Sequence, residues 1–364
     1  MTSQAPDRRT KAIFWILLGL SSTYFAEVTV GNLLFPFFTP FALLVAVPLY
    51  ALHILVLSAY VVRDRTANLR ALFFAGMLFG LYEAYITKVI WDPYWSFAAD
   101  FRAFGIAVPQ TTLLILWYHN FFAFIIPLII CEVMCTNSSK VLDSIPTWIR
   151  DMFARHRLKK TAIVVGVVFG LMESVVSKSP LVALASILSG AAVIALVMYY
   201  LRDVRGSHRF TLDELLPDRG QSKKLLMALL LFYAVMTPLL LPENLPGLWP
   251  QATVWALYAL AFTFLYFTLG DKVPQVAPSP ETPRGLPKEE RAFRWRVWWL
   301  FIGVYSAVAM FMSLGLQLLS AVFTLFFHVA GMSLGLFIIC STAYLVVKRR
   351  RRLRNRVPSA FDNP

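Results

Sequence analysis

The amino-acid sequence predicts an all-α, polytopic integral membrane protein with about ten transmembrane helices arranged as five hairpins. Hydrophobic residues make up 58% of the 364 positions and charged residues only 15%, whereas soluble globular proteins carry about 25% charged residues. Apolar runs of about 20 residues, the length that crosses a bilayer as a helix, recur along the chain. Lipid cannot satisfy the backbone of an open strand, so the spans must be helical.

The chain divides into an N-terminal tail (1–11), a single transmembrane domain (12–347) and a basic tail (348–364). The spans alternate with short connections, and a proline-rich linker (270–296) precedes the last hairpin. The predicted spans are 12–31, 39–62, 70–90, 109–134, 161–179, 181–201, 223–241, 250–269, 297–318 and 321–347.

Lysines and arginines are distributed with a strong asymmetry. Of the 34 such residues, 31 lie before the first span, after the last span or in the segments 63–70, 136–160, 202–224 and 270–296. These four segments connect each even-numbered span to the next span and include the first residues of some of those spans. The other three are Lys88, Arg102 and Lys178, near the opposite helix ends. The positive-inside rule therefore predicts that both termini are cytoplasmic.

The same charge pattern also predicts which molecules the protein contacts, and the connections indicate the membrane in which it lies. The basic segments predict contact with anionic lipid headgroups as well as with the lipid bilayer itself. The net charge of +14 could suit nucleic acid, but the charge is confined to gaps between apolar runs, so no nucleic-acid partner is expected. The compact connections, with no large outer domain, favour the plasma (inner) membrane of a prokaryote.

Two segments ninety residues apart are nearly the same. The first runs from Gly76 to Lys88 and the second from Gly166 to Lys178, and six of the thirteen positions are identical. Each places a glutamate and then a lysine in a long apolar run. Both lie on odd-numbered spans, so the sequence predicts a parallel internal repeat, with copies near 70–134 and 161–201.

Helical spacing gives each repeat copy a small-residue face. Gly76 and Gly80 are four residues apart, as are Gly166 and Gly170, and such pairs let another helix approach closely. Glu83 lies on the same face as Gly80, and Glu173 on the same face as Gly170. We therefore expect each glutamate to face a neighbouring helix or a cavity. The lysines are expected to extend toward the interface.

Other polar residues join these two glutamates at membrane depth. Counted from the helix ends at a rise of about 1.5 Å per residue, several of them fall near the level of Glu83 and Glu173. Ionisable residues at that depth mark functional sites. The predicted substrate- or ion-binding candidates are Glu27 (in a partial third copy of the repeat), Glu83, Lys88, His119, Asn120, Glu173, Lys178 and His328. No metal site is predicted, and no particular cofactor or substrate is indicated.

The first functional hypothesis is a proton- or cation-coupled transporter. Repeated helices, midplane carboxylates and proline-interrupted outer helix ends are features that coupled carriers use. In this interpretation Glu83 and Glu173 bind the proton or cation, and the lysines tune their proton affinity.

The second hypothesis is an intramembrane enzyme, a hydrolase in which glutamate and histidine activate water. The Glu-x-x-x-x-Lys spacing is similar to the Glu-Glu-x-x-x-Arg motif of the CAAX-protease-like membrane family, over about six residues in each copy. The chain departs from that motif, because Ala84 or Ser174 replaces the second glutamate and lysine replaces arginine. The similarity therefore assigns no family.

The third hypothesis is a non-catalytic membrane scaffold or assembly factor. In that case each glutamate is protonated and only makes hydrogen bonds across helices, since burial favours the neutral carboxyl. Glutamine would then be tolerated at both positions, because it keeps those hydrogen bonds.

Overall fold

The computed structural model describes residues 5–93, 100–177, 179–272 and 287–354, with side chains up to residue 348. Within these ranges the chain is almost entirely helical. The α-helices are α1 (Arg8–Thr23), α2 (Val47–Val61), α3 (Leu69–Gly80), α4 (Tyr82–Tyr85), α5 (Val108–Leu113), α6 (Ile126–Cys135), α7 (Thr147–Arg150), α8 (Leu158–Val176), α9 (Pro180–Tyr199), α10 (Leu212–Leu215), α11 (Arg219–Leu239), α12 (Leu248–Thr268), α13 (Lys288–Met312) and α14 (Gln317–Arg354).

Four π-helical segments interrupt or extend these helices. A twelve-residue π segment (Leu114–Ile125) joins α5 to α6. Shorter ones follow α1 (Tyr24–Val28), precede α2 (Ala42–Ala46) and follow α9 (Tyr200–Val204). Because π-helical turns are rare and frequently occur at functional sites, the long segment is the first structural pointer to a site.

Seven of the described helices are long enough and apolar enough to cross a membrane. They run over Ala42–Val61, Val108–Cys135, Pro180–Val204, Arg219–Leu239, Leu248–Thr268, Lys288–Met312 and Gln317–Lys348. A multi-pass, all-α membrane fold is thereby confirmed. The other three predicted spans, 12–31, 70–90 and 161–179, coincide with α1, α3 and α8, which do not reach the same length and apolar character. The five-hairpin arrangement and the cytoplasmic termini stay predictions.

The prediction of one continuous helix over 70–90 is wrong. Helix α3 ends at Gly80, and Leu81 (ψ −8°) leads into the four-residue helix α4. The chain cannot resume a right-handed helix afterwards, because Lys88 has a left-handed backbone (φ +61°). The second copy behaves differently, since α8 continues without a break to Val176. The two similar sequences therefore adopt different backbones beyond their second glycine.

Polar caps determine where several helices begin. Asn68 accepts a hydrogen bond from the Ala71 amide (2.9 Å) and begins α3. Asp218 begins α11 through a capping box, in which it accepts from the Gln221 amide while Gln221 accepts from the Asp218 amide. Such caps satisfy amides that a helix leaves without an internal partner. The starts of α3 and α11 lie at the same end of the bundle, as the contacts in the next paragraph show.

Hydrogen bonds to the loop around α10 tie several basic segments together at one end of the bundle. The Trp15 indole N–H donates to the Leu215 carbonyl oxygen (2.8 Å). Arg63 donates to the Asp213 carbonyl oxygen (2.7 Å), and Lys140 pairs with the Asp213 carboxylate (2.6 Å). We call this the basic end, because the described basic connections meet there.

Glycine pairs bring two helices against opposite sides of the π segment. A Cβ atom added at Gly76 of α3 would overlap Cα of Asn120, and one at Gly80 would lie 3.0 Å from the Leu114 carbonyl oxygen. On the other side, Gly331 and Gly335 of α14 are equally close to the segment, against Trp117 and Leu116. All of these contacts are with Leu114–Ile125, so the segment lies between two helices that approach it closely.

The second repeat copy uses its glycines against a different partner. Gly166 and Gly170 of α8 face α13, where an added Cβ at Gly170 would lie 2.6 Å from Cβ of Val308. Helix α8 therefore packs along α13, far from it in sequence. The small-residue face predicted for both copies is present, but the helix that each copy contacts is not the same.

Some predicted features lie outside the described residues. These are Lys178, most of the proline-rich linker (273–286) and the last ten residues of the basic tail (355–364). The expected extension of Lys178 toward the interface and its influence on Glu173 thus stay predictions.

We expect Gly76→Ala to destabilise the fold. Alanine favours an exposed helix over glycine by about 1 kcal/mol, but here the added methyl overlaps backbone and must force the helices apart, at a cost of about 1–3 kcal/mol. Gly303→Ala on α13 is the matched control, because nothing lies within 4 Å of its added Cβ. Thermal unfolding of the detergent-purified variants should show a lower midpoint for Gly76→Ala only. An unchanged Gly76→Ala midpoint would contradict the close approach of α3.

Candidate functional site

Two carboxylates are joined by a chain of polar contacts in the interior of the bundle. The Tyr50 hydroxyl donates to Oε1 of Glu27 (2.6 Å) and lies 3.0 Å from the Tyr82 hydroxyl. Nε2 of His119 lies 3.2 Å from the Tyr82 hydroxyl and 3.2 Å from Oε1 of Glu83. We call the five side chains Glu27, Tyr50, Tyr82, His119 and Glu83 the relay.

The relay is assembled from four different parts of the chain. Glu27 lies in the π turn after α1, and Tyr50 lies on α2. Tyr82 and Glu83 are consecutive in α4, and His119 lies in the long π segment. The break after Gly80 matters here, because it lets two adjacent side chains reach the same imidazole nitrogen.

The donors along the relay can all point the same way. Tyr50 donates to Glu27, so its oxygen is free to accept from Tyr82. Tyr82 in turn can accept from Nε2–H of His119, which also faces the Glu83 carboxylate. A hydrogen-bonded chain with one direction can pass a proton from one end to the other by successive short transfers.

Burial differs along the relay. Tyr50, Tyr82 and His119 are buried, and Glu83 retains 8% of its surface. Glu27, by contrast, is only half-buried. Thr87 further donates to the Glu83 carboxylate, whereas Nδ1 of His119 has no hydrogen-bond partner among the described residues. Glu27 is therefore the end of the relay with access to the surroundings of the bundle.

The second carboxylate site, at Glu173, has fewer partners. Ser177 donates to Oε1 of Glu173 (2.8 Å), while Oε2 is buried with no hydrogen-bond partner among the described residues. The buried hydroxyls of Tyr118 and Tyr305 also lack such partners. Tyr118 packs on Phe122, which in turn packs on Phe169 of α8.

Two other predicted site residues do not join either carboxylate. Asn120 donates to the Phe73 carbonyl oxygen (2.9 Å) and so binds the π segment to α3. His328 is half-buried on α14, next to Phe327, and its Nδ1 has no hydrogen-bond partner among the described residues. The sequence predicted only that these two residues lie at the depth of the glutamates, and depth along a helix does not determine the direction in which a side chain faces.

Lys88 is also placed differently from the prediction. It is fully buried rather than extended to the interface. Its ammonium group donates to the carbonyl oxygens of Thr237 (2.9 Å) and Leu240 at the C-terminal end of α11. The last carbonyls of a helix have no internal partners and carry partial negative charge, so a buried lysine is stabilised there. It holds the broken repeat copy against α11.

Sequence reasoning missed the tyrosines, which supply the inner links of the relay. A sequence signal for them exists, because Tyr82 directly precedes Glu83 and Tyr118 directly precedes His119. Tyr50 lies three residues before His53, on the same face of α2. His53 itself packs against the Tyr82 ring (centroids 5.6 Å apart) without bonding to the relay.

The described residues contain no group of three or more histidine, cysteine, aspartate or glutamate side chains that could hold a metal ion. The polar groups that meet at the relay are instead hydroxyls, one imidazole and two carboxyls.

Comparisons with known proteins agree with the membrane fold. Residues 16–354 match a family described as an uncharacterized membrane protein family. The chain belongs to this family. A curated relative from Archaeoglobus fulgidus, described as an uncharacterized protein, is 32% identical over 283 residues, which cover 78% of this chain and 84% of the relative. No solved structure matches the chain.

We expect Lys88→Gly to destabilise the protein. Glycine relieves the left-handed backbone at this position, but the substitution leaves buried carbonyls of α11 without donors, at about 1–3 kcal/mol. Leu241→Gly is the matched control, because Leu241 is also left-handed (φ +45°) and its side chain is exposed. The unfolding midpoint should fall for Lys88→Gly and stay level or rise for Leu241→Gly. Equal midpoints for the two variants would mean that the lysine bonds contribute nothing.

Proposed function

We propose that this protein is a proton-coupled membrane transporter, with the relay as its proton-binding element. The observation that carries the proposal is the continuous polar connection between Glu27 and Glu83, made of three hydrogen bonds through Tyr50, Tyr82 and His119 and a 3.2 Å contact between His119 and Glu83. Carboxylate and histidine chains at membrane depth are typical of proton relays in pumps and transporters. The proposal narrows the sequence-based hypothesis of a proton- or cation-coupled carrier to protons.

The proton step can be written without moving any heavy atom. His119 starts as the neutral imidazole with its proton on Nδ1, and its Nε2 first accepts a proton from a protonated Glu83, which gives an imidazolium. Nε2–H then gives its proton to the Tyr82 oxygen, Tyr82 gives its own proton to Tyr50, and Tyr50 gives its own to Glu27. The O–H bond of Glu83 and those of Tyr82 and Tyr50 break, new O–H bonds form at Tyr82, Tyr50 and Glu27, and the Nε2–H bond forms and breaks again. The net result is transfer of one proton from Glu83 to the half-buried Glu27.

The backbone around the relay also supports a transporter. Carriers bind coupling ions at discontinuous helices, whose ends supply unpaired backbone groups. Here α3 breaks beside the relay, the π segment holds His119, and Lys88 occupies the end of α11. We place the basic end in the cytoplasm of a prokaryotic plasma membrane, in line with the positive-inside rule.

An intramembrane hydrolase is the second candidate, and the Glu83–His119 pair favours it. A carboxylate 3.2 Å from an imidazole nitrogen can orient a general base. The two candidates differ in one respect: a coupled transporter responds to a proton gradient, whereas a hydrolase does not need one.

Glu83→Gln and Glu27→Gln should abolish proton-driven charge movement. We would adsorb proteoliposomes on a solid-supported membrane, apply a rapid pH jump and record the transient charge displacement. Glutamine keeps the size and hydrogen bonding of a neutral carboxyl but cannot exchange a proton, so both variants should fall to the level of protein-free vesicles. Glu243→Gln, in an exposed loop, is the matched control and should resemble wild type. Wild-type signals in both relay variants, with normal unfolding midpoints, would overturn the proposal.

Tyr82→Phe should slow the charge displacement without removing either carboxylate. The phenyl ring preserves the packing against His53 and Phe79, but the missing hydroxyl leaves a gap between Tyr50 and His119. The measured quantity is the decay time of the transient charge displacement. Tyr266→Phe is the control, because Tyr266 is 71% exposed. An unchanged decay time would show that protons reach Glu83 by another route.

A further inference from the structure

A large groove opens between α2, α3, α11 and α12, with a volume of about 980 Å³. This is at the upper end of the range for small-molecule sites, about 300–1,000 Å³. One end carries a rim of five basic residues, and the other reaches His53 and Tyr233. We call it the rimmed groove. It is separate from the relay, and none of the five relay side chains lines it.

The rim lies at the basic end and carries a strong excess of positive charge. Its basic residues are Arg63, Arg65, Arg219, Lys223 and Lys272, with Asp64 as the acidic residue on the same lining. Arg63 and Arg65 have structural partners, because they donate to backbone carbonyls of the neighbouring loops. Arg219 and Lys223 make no hydrogen bond or ion pair through their side chains with any described residue.

The position of these two cations is unfavourable for the helix itself. Arg219 is the first residue of α11 and Lys223 follows one turn later. Positive charges near a helix N-terminus oppose the helix dipole. They therefore do not stabilise α11, and an anion placed between them would remove the conflict. Their spacing of four residues puts both on one face of the helix.

Along α11 the groove changes from charged to apolar to polar. Below Arg219 and Lys223 come Leu226 and Leu230, and Tyr233 closes the deep end. The rise from Arg219 to Leu230 is about 16 Å at 1.5 Å per residue. One leaflet of the hydrocarbon core is about 15 Å thick, half of about 30 Å. The charged part and the apolar part thus match the head and chain of a lipid in one leaflet.

We propose that the rimmed groove binds one anionic phospholipid from the leaflet at the basic end, with its phosphate on Arg219 and Lys223 and an acyl chain along Leu226 and Leu230. Basic pockets between transmembrane helices recognise anionic headgroups in this way. The charge of the rim selects an anionic headgroup over a zwitterionic one. The inference holds whether or not the relay carries protons.

The test uses the full-length protein, delipidated in detergent and then exposed to equal amounts of phosphatidylglycerol and phosphatidylcholine. Native mass spectrometry measures which lipid stays bound. We expect one retained phosphatidylglycerol per chain. Arg219→Ala/Lys223→Ala should lower the preference for phosphatidylglycerol about 30-fold, since each basic residue contributes about 1 kcal/mol and 1.4 kcal/mol is tenfold.

Two comparisons separate a groove site from general surface attraction. Lys159→Ala/Lys160→Ala removes the same charge from the start of α8, away from the groove, and should leave the preference unchanged. Leu230→Trp should reduce binding of both lipids, because the larger side chain occupies the space in the groove where the acyl chain would lie. Equal losses in the two charge variants would overturn the proposal. So would displacement of phosphatidylglycerol by inorganic phosphate alone, which would indicate a site for free anions.

A second measurement, of tryptophan fluorescence, tests lipid binding without substituting the basic residues of the rim. Trp255 lines the groove, so phosphatidylglycerol with brominated acyl chains should quench its fluorescence. The quenched fraction that disappears in Trp255→Phe is the part that comes from Trp255. If brominated phosphatidylcholine quenches that fraction equally well at the same concentration, the groove has no headgroup preference and the proposal fails.

Discussion

The close approach of α3 to the π segment is the constraint on which the site depends. Without side chains at Gly76 and Gly80, the two backbones come into direct contact. The Asn120 amide then reaches the Phe73 carbonyl oxygen and fixes the register of the two helices. In lipid, helices gain no hydrophobic energy from meeting each other, so packing and interhelical hydrogen bonds must hold them together. The distance of His119 from Glu83 and Tyr82 follows from that contact.

The π segment is compressed from both sides. Gly331 and Gly335 of α14 bring that helix against Trp117 and Leu116, opposite to α3. π-helices are rare and occur mostly as single turns, so we infer that surrounding packing supports this long segment. Two glycine-faced helices supply such support here. The arrangement presents His119 and Tyr118 to the interior rather than to lipid.

The two similar sequences show what sequence reasoning can and cannot predict. A glycine face is present in each copy, and Glu83 contacts His119 of another segment, whereas the hydrogen-bond partner of Glu173 is the nearby Ser177. Sequence reasoning could not identify the partner of each glycine face, because the face of Gly76 and the face of Gly166 are nearly the same in sequence. The partner depends on how distant helices pack, and α3 meets the π segment while α8 meets α13. The break after Gly80 was also missed, because the second copy has a similar sequence and no such break, so local sequence alone does not specify it.

Most of the membrane class was predictable, since seven described helices meet the length and composition of a span. The relay was only partly predictable. Glu27, Glu83 and His119 were predicted because they are ionisable residues in apolar runs. Tyrosine is common in membrane proteins, so a tyrosine in such a run does not by itself indicate a site. Its role at Tyr50 and Tyr82 is visible only once the hydroxyls are seen to meet. His328 shows the opposite case. It is an ionisable residue at the depth of the relay, but its side chain does not join the relay.

His53 connects the rimmed groove with the relay. Its Nδ1–H donates to the Leu49 carbonyl oxygen, so its Nε2 must accept from the Tyr233 hydroxyl at the deep end of the groove. Its ring also packs on Phe79 and Tyr82, with centroid distances of 4.8 and 5.6 Å. A ligand that moves Tyr233 therefore changes the support of the relay tyrosine. If groove occupancy alters the proton affinity of the relay by some factor, linkage requires protonation to alter lipid affinity by the same factor. His53 lines the groove and packs against the relay tyrosine, so it is the residue through which the proposed lipid and proton sites would be coupled.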